Sequence, residues 1–390
     1  MELNAQLHIV HIVSGDLWGG AEAQVHTLCK YLSRDISVKV SVVILNEGEL
    51  RNRLEHEGIT TYLLDERKLS AMQIWFGMRR LFLQLRPDVI HTHREKENIL
   101  ASVANQLSVR APSVRTQHGA PEFDYSWRQP HKKLQAALDR FCGRYLQRKV
   151  IAVSGELADK LSTVFAKDHL VTIENGVDIE RYQGQTALAP FKLEKPNVKH
   201  IGICGRLVPV KRVDLFLEAA ALMSSTTQIK EQVNEEAFAF HVIGDGPLRS
   251  QLEAQARGLG LNDVLTFHGH CQDVASIIYS LDVLLMCSDH EGLPMTLLEA
   301  MALGTPIVGH HAGALTEFLK SGNGGRLATS HSPEGYSSAL AAILSSESLR
   351  DDAVRKGGAL VKSKFTATNN AVRILGVYQS VLKSTPKLAR

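Results

Sequence analysis

The chain has little cysteine and no long apolar run, and both shortages narrow its class. Its five cysteines, Cys29, Cys142, Cys204, Cys271 and Cys287, are scattered through 390 residues, odd in number and without any C-x-x-C pair. Such spacing argues against a disulfide framework and points to a reducing compartment. No stretch reaches the roughly 18 apolar residues of a spanning helix. The opening MELNAQLHIVHIVSG has no basic leader, so the expected location is cytoplasmic, at most peripheral on the inner face of a membrane. A one-sided charge is missing as well. The net charge is +3, split into about +1 for residues 1–180 (23 basic, 22 acidic) and +2 for the remainder (21 basic, 19 acidic). That balance argues against nucleic acid as a partner.

Several chemical motifs are also lacking. No G-x-G-x-x-G follows a strand candidate, so a nicotinamide or flavin cofactor is not expected. There is no G-x-x-x-x-G-K-[ST] loop and no G-x-S-x-G elbow. None of the 17 aspartates stands two residues from another, so the D-x-D pair that chelates a divalent ion is absent. The histidine pairs His8/His11, His91/His93 and His268/His270 lie on or at the end of strand candidates, with no carboxylate or cysteine at ligand spacing. The expectation is therefore no metal site and no cofactor.

What is present is an ordinary globular composition, 44% hydrophobic and 22% charged, and enough length for two cores. HIVHIVSG (8–15) and HIGICGR (200–206) both read as apolar strands ending at a glycine before a helical pattern. Each would open a βα unit. Strand candidates follow at 38–45, 88–93, 112–118 and 149–155, and again at 237–244, 263–269, 282–288 and 305–309. This rhythm predicts an α/β fold with two Rossmann-like, doubly wound parallel sheets. The expected division is an N-terminal domain 1–181, a linker 182–199 with two prolines, a C-terminal domain 200–369, and a last segment 370–390. The polar stretch 224–236 reads as a surface loop.

The densest signal is SDHEGLPMTLLEAMALGTPIVG, Ser288 to Gly309. It sets Glu291 on a loop and Glu299 about one turn into a helix, with Gly292 and Pro294 between them. Pro294 suits the first helical turn, and the amides of Met295, Thr296 and Leu297 would face an anion such as a diphosphate. Glu299 could then accept hydrogen bonds from a ribose diol. Arg206 ends the second first-strand and Lys211 follows where a helix begins, both at the carboxyl ends of strands where open α/β sheets bind ligands. Gly19 and Gly20 allow close backbone approach after the first strand, and Gly244 to Pro247 and Gly269-His270 read as turns. Asn175-Gly176 reads as a turn near the domain crossing.

The Glu-x7-Glu segment, together with GGAE at Gly19–Glu22, TQHGA around His118, ENGVD at Glu174–Asp178, GRLVPVKR at Gly205–Arg212 and VIGDGP at Val242–Pro247, resembles the retaining family-4 glycosyltransferases of the GT-B fold. The resemblance spans nearly the whole chain. It implies two Rossmann-like domains facing a cleft, with a nucleotide-diphosphate sugar, by default a UDP-sugar, held mainly by the second. The implied acceptor is a glycan or lipid-linked glycan. Arg206 and Lys211 would then bind the diphosphate in place of a metal, and His118 and Glu291 would contact the donor sugar. Gly269, His270, Gly292, Leu293, Pro294, Met295, Thr296, Leu297 and Glu299 would complete the donor site, Gly269 and His270 through their main chain near the base. The last helix, Asn370–Lys383, would return to the N-terminal domain. A nucleotide-sugar epimerase, a glycan phosphorylase and a non-catalytic protein on the same fold remain alternatives.

Two N-terminal stretches stand apart from the balanced charge. Between Trp127 and Lys149 seven basic residues face only Asp139, while Leu134, Leu138, Phe141 and Tyr145 recur at helical spacing. The stretch Arg67–Arg86 carries five basic residues and no acid beside Trp75, Phe76 and Phe82. Two readings follow: both helices lie on an anionic membrane surface, or both apolar faces pack on the sheet.

Overall fold

The computed structural model describes residues 6–15, 18–119, 130–182, 191, 198–234, 237–271 and 273–384. Contacts divide the chain into two compact units, residues 1–176 with 367–390, and residues 177–366.

Unit 1 runs β1 (Leu7–Val13), α1 (Gly20–Ser33), β2 (Val38–Ile44), α2 (Glu49–His56), β3 (Thr60–Leu63), α3 (Ala71–Leu85), β4 (Val89–Thr92), α4 (Glu95–Gln106), β5 (Ser113–Gln117), α5 (Pro130–Tyr145), β6 (Lys149–Ala152), α6 (Gly155–Leu161) and β7 (Leu170–Thr172). The seven strands are parallel in the order β3-β2-β1-β4-β5-β6-β7. β1 is buried along almost its whole length because both faces of the sheet are covered, which is why it reads as a continuous apolar run. One face packs Ile9, Val25, Leu28 and Val42. The other packs Val10, Ile12, Met78 and Phe82.

Unit 2 runs β8 (Lys199–Cys204), α7 (Val213–Ser225), α8 (Thr227–Val233), β9 (Phe238–Ile243), α9 (Arg249–Gly258), β10 (Leu265–Gly269), α10 (Val274–Ser280), β11 (Val283–Met286), α11 (Met295–Leu303), β12 (Ile307–Gly309), α12 (Ala314–Lys320), β13 (Gly325–Leu327), α13 (Pro333–Leu344) and α14 (Glu347–Lys364). Its strand order, β10-β9-β8-β11-β12-β13, repeats that of unit 1 without a counterpart of β7. The order reverses beside β1 and β4 in one sheet and beside β8 and β11 in the other. These are the switch points where such sheets open a crevice.

The chain leaves unit 1 after Gly176 and returns at Ala367, against the expected limits of 181 and 370. α15 (Ala367–Lys383) packs on α1 and puts Ala371, Ile374, Val377 and Tyr378 into the unit 1 core. In the expected linker, Phe191 stacks on His241 at 3.9 Å, inside unit 2. Within the stretch expected to be a surface loop, 224–236, residues Thr227–Val233 instead form α8, and residues 235 and 236 lie outside the described residues. Val233 is buried and Ile229 packs beside the core, and these two apolar positions four apart gave one turn of amphipathic helix its anchor.

Candidate functional site

The unit 2 site grows out of two backbone loops held against each other. After β8, the Gly205 amide donates to the Ile243 carbonyl at 2.9 Å and the Leu207 amide to the Asp245 carbonyl at 3.0 Å. A Cβ at Gly244 would lie 2.0 Å from the Gly205 carbonyl oxygen, and one at Gly246 2.5 Å from that of Leu207. The GDGP turn therefore needs its glycines to seat the loop that carries Arg206. Arg206 is exposed, and a short 3-10 turn, Pro209–Lys211, brings Lys211 back over the end of β8.

The loop after β11 docks on that turn at three points. The Asp289 amide donates to the Val210 carbonyl at 2.9 Å, Arg212 contacts the Asp289 carboxylate at 3.3 Å, and Lys211 Nζ donates to Glu291 Oε1 at 2.6 Å. Arg206, Lys211, Ser288 and Glu291 line a small open pocket. The Lys211 and Glu291 side chains are 24% and 9% exposed, so their pairing is only partly screened. Lys211 retains two N–H groups for an anion in this pocket.

α11 starts beside this pair. Pro294 is its N-cap in extended backbone, one position before the first helical turn where the sequence placed it. The Leu297 amide, expected to face an anion, is already given to the Pro294 carbonyl at 3.2 Å because the first turn tightens toward 3-10 geometry. Met295 and Thr296 remain with no carbonyl acceptor among the described residues. Gly292 and Leu293 lead into the helix, Leu293 buried and the Gly292 carbonyl accepting the Ala314 amide at 3.4 Å. Glu299, one turn on, is held above the usual carboxylate range by burial, which the Arg181 charge and a hydrogen bond with Tyr182 oppose. Gly269 adopts φ +68° at the end of β10, its carbonyl accepting the Gly244 amide at 2.9 Å, and His270 follows it into solvent.

Sequence reasoning missed the support behind this pocket. Arg212 also grips Asp214 at 2.8 Å, and His331 contacts Asp289 at 2.9 Å. Tyr336 then joins His331 at 2.6 Å and His310 at 2.9 Å. Asp214 is two residues from Arg212, but Asp289 and His331 lie 77 and 119 residues away, and no local spacing announces them. Tyr182 and Arg181 against Glu299 were missed for the same reason.

In unit 1, Gly19 caps α1 in extended backbone, with Gly20 as the first helical residue, and both are exposed. Beneath them the buried Glu22 pairs with Arg94, and Ser14 donates to the fully buried Glu97. His118 follows β5. Burial, then the Arg94 charge, lowers its pKa to about 4, so the ring is neutral. Asn175 is buried at the end of unit 1. Three of the paired histidines do come together here: His11, His91 and His93 place ligand atoms within 4.8 Å of one another.

The two basic helices bury different shares of their apolar residues. On α5 the residues Leu134, Leu138, Phe141 and Tyr145 are 61%, 44%, 53% and 64% exposed, so they do not pack on the sheet. Asp139, the segment's one acid, is buried and taken by Arg115 at 2.8 Å, leaving a wholly basic rim. α3 divides its apolar residues, burying Ile74, Met78 and Phe82 while exposing Met72, Phe76 and Leu83. α4 packs against both helices and exposes Val103 and Leu107. No helix among the described residues is long and apolar enough to cross a membrane.

Comparison with known proteins places these features in a family. The sequence model described as Glycosyltransferase Family 4 matches residues 18–181, and that described as Glycosyl transferases group 1 matches residues 186–359. An Escherichia coli UDP-Gal:alpha-D-GlcNAc-diphosphoundecaprenol alpha-1,3-galactosyltransferase is 26% identical over 246 residues, 62% of each chain. A Campylobacter jejuni alpha-1,4-N-acetyl-D-galactosaminyltransferase, whose substrate name ends in diNAcBac-PP-undecaprenol, is 25% identical over 356 residues, 86% of this chain and 88% of the relative. An Anabaena protein solved with UDP-glucose superposes with TM-score 0.80 at 19% identity, over 96% of this chain and 99% of that one. With two matching Rossmann-like units and the two halves of the family signature in order, the chain belongs to the family-4 glycosyltransferases of the GT-B fold.

Proposed function

We propose that this protein transfers a hexosyl group from a UDP-sugar to an acceptor hydroxyl on a glycan or lipid-linked glycan, with retention and without a metal. The observation that carries this reading is the Lys211–Glu291 pair in the pocket at the β8/β11 switch point, beside the open amides of Met295 and Thr296. Arg206 and Lys211 stabilise the departing diphosphate electrostatically, as oriented cations stabilise developing charge. Glu291 addresses the sugar and Glu299 the ribose diol. His118 offers its ring to a sugar hydroxyl. The anomeric C–O bond to the diphosphate breaks, the acceptor oxygen bonds to the same face, and its proton passes to a diphosphate oxygen. No enzyme nucleophile is needed, and catalysis rests on positioning.

The undecaprenol-linked substrates named for the Escherichia coli and Campylobacter jejuni relatives support a lipid-linked acceptor, and the UDP-glucose complex of the Anabaena structure supports a UDP-sugar. The exposed apolar stripe of α5 inside its basic rim supports an acceptor met at an anionic bilayer, where each surface lysine or arginine adds up to about 1 kcal/mol. A panel of UDP- and GDP-sugars is tested by thermal shift, and responsive donors by hydrolysis without acceptor. Stabilisation and slow hydrolysis by a UDP-sugar are expected, and stabilisation by none of them would refute the reading. Co-sedimentation with anionic vesicles at low salt, reduced in Leu134→Ser/Phe141→Ser, checks the surface. Absence of binding at low salt would favour a soluble acceptor.

A further inference from the structure

His11 within β1, His93 just beyond β4 and His118 just beyond β5 come from three neighbouring strands and the loops that follow them, and their rings form a row. His11 Nδ1 is 3.0 Å from His93 Nε2, and His93 Nδ1 is 3.2 Å from His118 Nε2. The rings stack, with centroids 5.3 and 5.4 Å apart. Each end of the row is a buried nitrogen with no partner among the described residues, Nε2 of His11 and Nδ1 of His118. His91 lies against the row, 4.3 Å from His93 between ring centroids, but outside its hydrogen bonding. Its two nitrogens meet Tyr378 Oη at 2.6 Å and Thr116 Oγ1 at 2.8 Å. That occupancy argues for shared protons and against a metal, because a cation held by His11, His91 and His93 would have to displace at least one ring-to-ring bond and one of these hydroxyls.

A neutral imidazole has one donor and one acceptor nitrogen, so a row of three has two arrangements. Either all three carry the proton on Nδ1, or all three carry it on Nε2. Each leaves one N–H without an acceptor among the described residues, at His118 Nδ1 in the first and at His11 Nε2 in the second. His11 is fully enclosed whereas His118 is only part-buried, so the first arrangement leaves a bare lone pair in the interior and puts the unsatisfied N–H on the ring that a ligand can approach. An interior orphan N–H is the rarer state. Burial holds His11 at a pKa of about 3 and, with the Arg94 charge, His118 at about 4, so the rings stay neutral at pH 7.

We propose that His93 and His11 are positioning residues that lock His118 as its Nδ1–H tautomer, so that it presents an N–H donor to a sugar hydroxyl oxygen. The sugar as recipient rests on the function proposed above, whereas the row itself does not. The test is nitrogen NMR of the histidine-labelled full chain without ligand, assigned by single substitutions. All three rings should show protonated Nδ1 and bare Nε2 in the wild type. His93→Leu should leave His118 in mixed tautomers and lower turnover roughly tenfold, about the worth of one hydrogen bond, with UDP affinity unchanged. His93→Gln, which can still donate to His118, should restore both. An Nε2–H tautomer of His118 in the wild type overturns the proposal even if no variant folds. So do identical His118 resonances in His93→Leu, or stoichiometric zinc taken up by the wild type and lost in His93→Leu. A spectrum as expected from a protein that transfers no sugar would leave the row standing and remove the proposed function.

Discussion

Glu291→Gln should tighten binding of free UDP while lowering turnover, and the structure sets the size of the effect. Lys211 Nζ is 2.6 Å from Glu291 Oε1, and a phosphate oxygen accepting from the same Nζ adds about 2.8 Å. The phosphate then lies no more than about 5.4 Å from the carboxylate. At an effective dielectric near 20, two unit charges at that separation repel by about 3 kcal/mol. Access of water and salt at the pocket mouth reduces this, and an affinity gain of roughly tenfold is expected at low salt, smaller at high salt. Lys211→Ala acts the other way. It loses a charge-assisted hydrogen bond of about 1.5–3 kcal/mol and leaves Glu291 facing the anion without a partner. Calorimetric titration with UDP reads both, and thermal unfolding of the ligand-free variants gives the control. If the pair were only a structural clasp between two loops, both substitutions would weaken UDP binding. Weaker binding in Glu291→Gln, or unchanged binding in Lys211→Ala, would therefore refute the argument.

Glu299→Ala should weaken UDP binding by about 1.5–3 kcal/mol, and unchanged affinity would remove its ribose role. Because burial raises the Glu299 pKa and only the ionised group accepts from both ribose hydroxyls, UDP affinity should rise with pH through that raised value, and Glu299→Gln should flatten the profile. Transferase activity should be unchanged in EDTA, and loss of activity restored by magnesium or manganese would overturn the metal-free reading. Asp139→Asn should cost about 3–5 kcal/mol in urea denaturation, because it leaves the buried Arg115 charge without its partner, and a cost under 1 kcal/mol would show that Arg115 finds another.

The central strands were legible because they are buried on both faces along most of their length and are largely apolar, from β1 and β2 in unit 1 to β8 and β11 in unit 2. Of the four edge strands only β10, within the expected 263–269, was. β3 is TTYL with no fully buried residue, β7 is LVT and β13 is GRL, and a half-covered edge asks for neither length nor a continuous apolar pattern. The site divides along the same physical line. Residues that act through local geometry were visible: glycines where Gly205 and Leu207 press on the GDGP turn, and a proline with two carboxylates around one helix start. Groups that act through tertiary contact, such as Arg181 and Tyr182 on Glu299 or His331 on Asp289, leave no spacing to read. Asp139 shows how this changes a functional inference. In sequence it is the one acid that moderates a basic helix, one charge against seven. In the structure it faces inward and is consumed by Arg115, with Asn98 donating to the same carboxylate at 2.9 Å. The charge that α5 turns to solvent is then wholly positive around Leu134, Leu138, Phe141 and Tyr145. A helix anchored by a buried ion pair can leave its apolar residues outside, because the pair and its hydrogen bonds, together with Ala136 and Cys142, hold it to the sheet.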